Sequence, residues 1–300
     1  VDDLTPYLRA LVERGYRVAV ADQYETGDGH ARAVERVVTP GTLLETTDTD
    51  SQYLAAVCHD EAYGLAFADI TTGQFHVATA ADADAARSEL YRFAPVEVLP
   101  GPDLRAEEGL LGQVRERTDA TVTAHDAEAF APGRARHRVR DQFGAEAVES
   151  VGLEAEAAVR AAGAVLAYVA DTGAGVLASI TRLQSHAAGD GVALDATTRR
   201  NLELVETMRG ESEGSLYDTV DHTVTSAGGR LLAEWLQRPR RERDELTRRG
   251  AAVEALTGAA MARDRLRETL DGAYDLERLA SRAVSGSADA RDLRAARATP

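Results

Sequence analysis

The chain has 300 residues, 44% of them hydrophobic, and its 50 acidic against 34 basic residues leave a formal net charge of −16. That length exceeds what one core usually organises and points to two compact domains, and no apolar run approaches the roughly 20 residues that cross a bilayer. No lysine occurs, so a standard phosphate-binding P-loop is excluded, and the acidic balance argues against the chain being the main grip on a polyanion such as DNA.

The acidic opening Val1-Asp2-Asp3 resembles neither a secretory signal nor an Arg-rich transit peptide, which points to a cytoplasmic protein. Apolar residues at helical spacing over 7–14 predict a helix that Gly15 stops, and Arg17-Val18-Ala19-Val20-Ala21 alternates into a strand. Residues 24–31 predict a Gly- and Asp-rich loop, 34–38 a short strand, and Thr39-Pro40-Gly41-Thr42 a turn. A first unit thus covers 1–44, followed by a polar linker at 45–51.

From residue 52 the pattern becomes three strands, 53–59, 63–71 and 74–79, an antiparallel meander. The single cysteine, Cys58, lies in the apolar run Tyr53-Leu54-Ala55-Ala56-Val57-Cys58; it allows no internal disulfide or cysteine-rich zinc site and reads as a buried strand residue. A helix over 82–93, a strand at 96–99, a helix over 104–116, a strand at 121–124 and further helices follow, ending in the Ala-rich 154–170. This order predicts a mixed sheet with helices on both faces over 52–170. Beyond 171 strand signals almost vanish, and helices are predicted at 197–208, 227–237, 243–256, 263–269, 274–283 and 288–298. The fold class is therefore α/β plus all-α, with a helical domain over 171–300. The last helix has no obvious C-cap glycine, so the natural chain is expected to continue.

Small apolar side chains, mainly Ala and Val, beside so large a negative charge suggest adaptation to high salt, where self-repulsion is screened. Candidate chemistry is sparse. Gly173-Ala174-Gly175 and Gly189-Asp190-Gly191 lack the strand-then-capped-helix context of a phosphate loop and read as surface loops. The strand order is shared with ribonuclease-H-like folds, which prompts a search for paired metal-binding carboxylates among Asp69, Glu89 and Glu97. The first strand supplies no acid at Leu54-Ala55-Ala56-Val57, and Asp69 before Thr71-Thr72-Gly73 reads as a turn acceptor. The seven histidines show no metal spacing, and no Gly-x-Ser-x-Gly elbow occurs. No catalytic, cofactor or metal residue is assigned. Arg134-Ala135-Arg136-His137-Arg138-Val139-Arg140 is either a docking face or a solvated helix face, and Arg238-Pro239-Arg240-Arg241-Glu242-Arg243 reads as a helix connection with capping and ion-pair roles.

Four strings resemble the MutS family of DNA mismatch-repair proteins, in family order. Arg36-Val37-Val38-Thr39-Pro40-Gly41-Thr42 resembles the exit from its mismatch-binding domain, and Phe67-Ala68-Asp69-Ile70-Thr71-Thr72-Gly73-Gln74-Phe75 its connector hairpin. Leu194-Asp195-Ala196-Thr197-Thr198-Arg199-Arg200-Asn201-Leu202-Glu203-Leu204 resembles the start of its helical core, and Asp221-His222-Thr223-Val224-Thr225-Ser226-Ala227-Gly228-Gly229-Arg230-Leu231-Leu232, with Trp235-Leu236 and Pro239, a later core segment. The resemblance implies a mismatch-domain tail, a ribonuclease-H-like connector and the first part of a core. It implies a parent protein that dimerises, binds mispaired DNA and ATP with Mg, and recruits a MutL-type partner. The family's Phe-x-Glu wedge is absent here, and its ATPase domain would follow Pro300.

The resemblance makes the helix carrying Arg136, Arg138, Arg140 and Gln142 the candidate partner-docking surface. Thr223, Gly228, Gly229 and Arg230 form a scaffold motif, the glycines permitting close helix approach and Arg230 meeting a carboxylate. The function expected is a connector and core relay between mismatch-binding and ATPase domains. A recombination paralogue and a metal-dependent nuclease are the alternatives.

Overall fold

Apolar side chains one turn apart give α1 (Thr5–Val12), and it buries Leu8 and Val12 against Val38, at the end of a β-hairpin. The hairpin is β1 (Val18–Thr26) and β2 (Gly29–Val38), antiparallel with Thr26 opposite Gly29. The loop expected over 24–31 is thus largely strand. Its Asp and Gly content pointed to a loop, but the ladder pairs Tyr24 with Ala31 and Glu25 with His30 up to the turn. A single 3-10 turn, Pro40–Thr42, follows and is fully buried.

The computed structural model describes residues 4–12, 14–26, 29–42, 53–118, 120–172, 176–187, 192, 194, 196–284, 288 and 290–298. The acidic opening at 1–3, the linker at 45–51, the glycine loops at 173–175 and 189–191, and Asp195 lie outside the described residues.

The expected meander is present as β3 (Tyr53–His59), β4 (Tyr63–Asp69) and β5 (Gln74–Ala80). After it come α2 (Ala83–Phe93), whose N-cap Asp82 accepts from Ala85 N at 2.8 Å, then β6 (Glu97–Pro100), α3 (Glu108–Arg117) and β7 (Thr121–Val122). The helices α4 (Pro132–Phe143), α5 (Ala145–Ser150) and α6 (Glu156–Thr172) complete this run. A strand not anticipated from sequence, β8 (Arg182–Ala187), pairs parallel with β5. The six-stranded sheet therefore runs β7-β6-β3-β4-β5-β8. The second strand at the edge of the meander escaped notice because it has one neighbour only: Gln184 and Ser185 are exposed, so no apolar alternation marks it.

Strand residues alternate between two cores. Leu54, Ala56, Cys58, Ala66, Ala68 and Leu99 face α4 and α6, whereas Tyr53, Ala55, Val57, Phe67 and Val98 face α2 and α3. Small residues let the layers close up. A Cβ on Gly64 would lie 2.0 Å from the Ala157 carbonyl carbon, and one on Gly163 would lie 2.4 Å from Ala135 Cα, so α6 presses directly on β4 and on α4.

The rest is helical: α7 (Ala196–Asn201), α8 (Leu216–Val220), α9 (Ser226–Gln237), α10 (Arg243–Gly258), α11 (Ala260–Leu270), α12 (Leu276–Val284) and α13 (Ala290–Ala298). The helix expected over 197–208 stops at Asn201, because Glu203 turns left-handed with φ 48°. The carbonyls of Glu203 and Leu204 instead receive Leu216 N and Tyr217 N at 2.8 Å, tying this turn to α8, which the sequence reading missed. No residue of α10 or α11 is buried, and α9 buries only Gly229 and Arg230.

Candidate functional site at the joints between units

Among the described residues, the most enclosed charged group is Glu97, at the start of β6 and fully buried. Its Oε2 accepts from Thr39 Oγ1 at 2.7 Å and from Gly41 N at 2.9 Å, and its Oε1 accepts from Thr123 Oγ1 at 2.6 Å and Tyr168 Oη at 2.8 Å. Each carboxylate oxygen thus has two donors, which is what a buried acid requires. Since the Thr39 hydroxyl spends its proton on Glu97, the 2.9 Å contact between the Thr39 and Thr42 hydroxyls runs from Thr42 to Thr39, while Thr39 N donates to Thr42 Oγ1 at 3.1 Å. Burial, then the Glu97 charge, pushes the Tyr168 phenol above its ordinary pKa, so it stays a donor. Arg17 lies over the Tyr168 ring at 5.8 Å. The hairpin unit is therefore fastened to the sheet domain by Thr39, Gly41 and Arg17.

A second joint lies at the C-terminus of α2. Ala94 ends that helix in the left-handed region with φ 46°, just before Pro95. Arg238, the C-cap residue of α9, donates from Nε to the Arg92 carbonyl at 2.8 Å and from Nη2 to the Phe93 carbonyl at 3.3 Å. Its guanidinium also lies 4.3 Å from the Phe93 ring centroid and 4.9 Å from that of Tyr53. A cation meeting the last carbonyls of a helix and two aromatic faces is favoured by the helix dipole and the ring quadrupoles together. A third contact uses Glu277, which pairs with Arg182 on β8 and lies 3.7 Å from Arg230. Arg230 itself is buried against Asp275. Burial alone would raise the Asp275 carboxyl, but hydrogen bonds from Arg230 hold it below the usual carboxylate range.

The candidate metal carboxylates are not brought together. Glu97 shares the α6 face with its strand partner Leu54, whereas Asp69 shares the opposite face with Tyr53. Asp69 Oδ1 accepts from Thr71 N at 2.9 Å and Thr71 Oγ1 at 2.6 Å, as expected of a turn acceptor, and Glu89 pairs with Arg92. Among the described residues no group of three His, Cys, Asp or Glu side chains is placed to hold a metal ion.

On α4, Arg136 and Arg140 are exposed and line one small pocket of about 270 Å³. Arg138 instead donates to the Gly163 carbonyl at 3.2 Å, and Gln142 Nε2 to the Leu177 and Ile180 carbonyls at 2.9 and 2.7 Å. In the scaffold motif, Thr223 N donates to Asp221 Oδ1 at 2.9 Å, and Thr225 caps α9 by accepting from Gly228 N at 3.0 Å. The Cβ positions of Gly228 and Gly229 are occupied by the neighbouring Thr225 and Tyr217 hydroxyls, each 2.9 Å away.

Three family models match in order: MutS domain I over residues 1–47, MutS domain II over 52–181 and MutS domain III over 197–299. The chain belongs to the MutS family. It is 64% identical, over its whole length, to DNA mismatch repair protein MutS 1 of Haloarcula marismortui and 62% identical over 98% of its length to MutS 1 of Halobacterium salinarum. DNA mismatch repair protein MutS of Natronomonas pharaonis is 38% identical over the whole chain. The chain spans about a third of the length of these relatives, covering 33%, 34% and 35% of them. Their haloarchaeal sources agree with the salt adaptation read from composition.

In MutS terms, Glu97 joins the end of domain I to domain II, and Arg238 joins domain III to domain II. Both residues were on the page from the sequence in other roles, Glu97 as a possible metal ligand and Arg238 as a capping residue. The usable signal for Glu97 was an acid inside the apolar strand Val96-Glu97-Val98-Leu99. For Arg238 nothing local named the helix it caps.

Proposed function

We propose that this chain is the connector and core relay of a mismatch-recognition ATPase. In this reading the intact MutS protein is cytoplasmic and dimeric, binds mispaired DNA, uses ATP with Mg, and recruits a MutL-type partner; the sheet of domain II is the family's ribonuclease-H-like connector. One observation carries the relay reading: domain II is fastened to the units on both sides by directional polar contacts, buried at Glu97 and half-buried at Arg238, so displacement of one unit is passed to the next as a packed body.

In the intact protein, Arg238→Ala is expected to leave basal ATP hydrolysis in place and to reduce its stimulation by a mispaired duplex by about fivefold or more, the low end of ordinary coupling between sites. Stimulation equal to that of the wild type would overturn the relay reading.

The exposed pair Arg136 and Arg140 supports a docking role for α4, with Arg138 and Gln142 holding the helix in place from behind. The double change Arg136→Glu and Arg140→Glu is expected to weaken recruitment of the MutL-type partner in a pull-down while ATP hydrolysis persists. Unaltered recruitment would remove α4 from the docking surface.

A further inference from the structure

Beside the joint between the hairpin unit and domain II, one enclosed polar atom has no counterpart. His125 lies between β7 and the 3-10 turn Ala127–Phe130, and its side chain is 11% exposed. Among the described residues its Nε2 has no hydrogen-bond partner; Asp171 Oδ2, in the last turn of α6, is 3.9 Å away, beyond hydrogen-bonding range. Nearly all buried polar atoms in folded proteins are satisfied, so this one calls for an explanation.

What the ring does have is packing. It meets Tyr168 edge-on, with the centroids 5.1 Å apart and the planes at 81°. Tyr168 is the ring over which Arg17 lies, and its phenol donates to Glu97, the acceptor for Thr39 and Gly41. His125 thus backs a side chain shared by the Arg17 and Glu97 contacts of the domain I joint.

Charges reach the ring from several elements: Asp171 from α6, Arg138 from α4, Arg17 from the entry to β1, and Asp126 from its own loop. Arg105, ahead of α3, donates to the His125 carbonyl and not to the ring. Burial is the largest influence and disfavours a proton on His125; Arg17 and Arg138 act in the same direction, and Asp171 and Asp126 do not make up the difference. The C-terminus of α6 also favours a cation. Yet the Asp171 side chain is 68% exposed, so water and salt dilute its pull, whereas salt does little to lessen the cost of burying a charge.

We propose that His125 is an acid-operated release for the domain I joint: the neutral ring stays packed on Tyr168, and the protonated ring leaves it for water and loosens the hairpin unit from the sheet. Because the folded chain takes up this proton less readily than the unfolded chain, the stability tied to a neutral His125 is fully present above the ordinary histidine value of about 6.5. It is lost as the pH falls below that value and through the lowered folded one. The release is independent of the relay reading, since it is measured without DNA, ATP or a partner.

The test follows amide-exchange protection of the 300-residue chain at constant molar KCl, from about pH 7.5 down to about pH 5. Protection factors, which divide out the intrinsic pH dependence of exchange, are expected to fall several-fold in β1 and β2 while those of β3 and β4 hold. His125→Phe keeps a ring against Tyr168 and removes both the titration and the unpartnered nitrogen, so the hairpin's protection is expected to stay level with pH. His125→Gln, smaller and also without a titration, is expected to give the same flat profile. His30, in β2 itself, is present in every protein compared, so the difference between them belongs to His125. Protection that rises on acidification would mean that the protonated ring locks onto Asp171, and would overturn the proposal. So would a flat profile in the wild type, a wild-type profile in both variants, or a loss shared equally by β3 and β4.

Discussion

Replacing Glu97 with alanine is expected to destabilise the chain by about 3–5 kcal/mol, read as a shift of the urea midpoint at fixed molar KCl. The carboxylate is the shared acceptor for four donors, two from the end of domain I and two from domain II, in a place with no exposed surface. Each buried donor left without a partner costs roughly 1–3 kcal/mol, and a water entering the vacated space offsets part of the total. Glu97→Gln keeps the volume and one acceptor oxygen but turns an amide toward two of the donors, so about half of the loss is expected. Because Thr39 and Gly41 hydrogen-bond domain II through this carboxylate, the alanine variant is also expected to speed amide exchange in β1 and β2 before the sheet domain opens. A loss below about 1 kcal/mol in both variants would mean that the acid is not the fastening between the units.

The second large effect is steric. Adding a side chain at Gly64, as in Gly64→Val, is expected to cost about 3 kcal/mol or more in the same unfolding measurement. A Cβ there would sit 2.0 Å from both the Ala157 carbonyl carbon and Ala158 N, and these are backbone atoms that cannot rotate aside. The helix α6 would have to move off β4, opening a gap along the core that includes Ala66, Ala68 and Val165. Gly133 on α4 gives the opposite sign. Its Cβ position is open, and alanine in a helix is favoured over glycine by up to about 1 kcal/mol, so Gly133→Ala is expected to be neutral or stabilising. Equal effects at the two glycines would show that α6 does not approach the sheet as closely as described.

The parts of the fold that were legible in the sequence are those whose signal is local. The meander shows as apolar runs broken by turns, buried on both faces of the sheet, and α2 lies within the helix expected over 82–93. The parts that were not legible depend on distant partners. β8 is a strand only because β5 offers its free edge, and the helix from Ala196 stops because Glu203 and Leu204 have carbonyls to give to α8. The site follows the same division. Asp69 as a turn acceptor uses Thr71, two residues away, and was read correctly from its neighbours. Glu97 draws on Thr39, Gly41, Thr123 and Tyr168, which are 58, 56, 26 and 71 residues away, and Arg238 caps a helix 145 residues earlier. An acid in an apolar strand says that a compensating partner exists; it does not say whether that partner is a metal ion or a ring of donors.

The parallel strand β8 also determines how a pull is resisted. Its register with β5 runs from Arg182 opposite Gln74 to Ala187 opposite Thr79. A tug along the strand axis toward domain III loads these slanted backbone hydrogen bonds in shear, all at once, whereas a tug across the strand would unzip them one after another from the end. The sheet edge is thus mechanically anisotropic: stiff to tension that follows the chain into domain III and soft to sideways peeling.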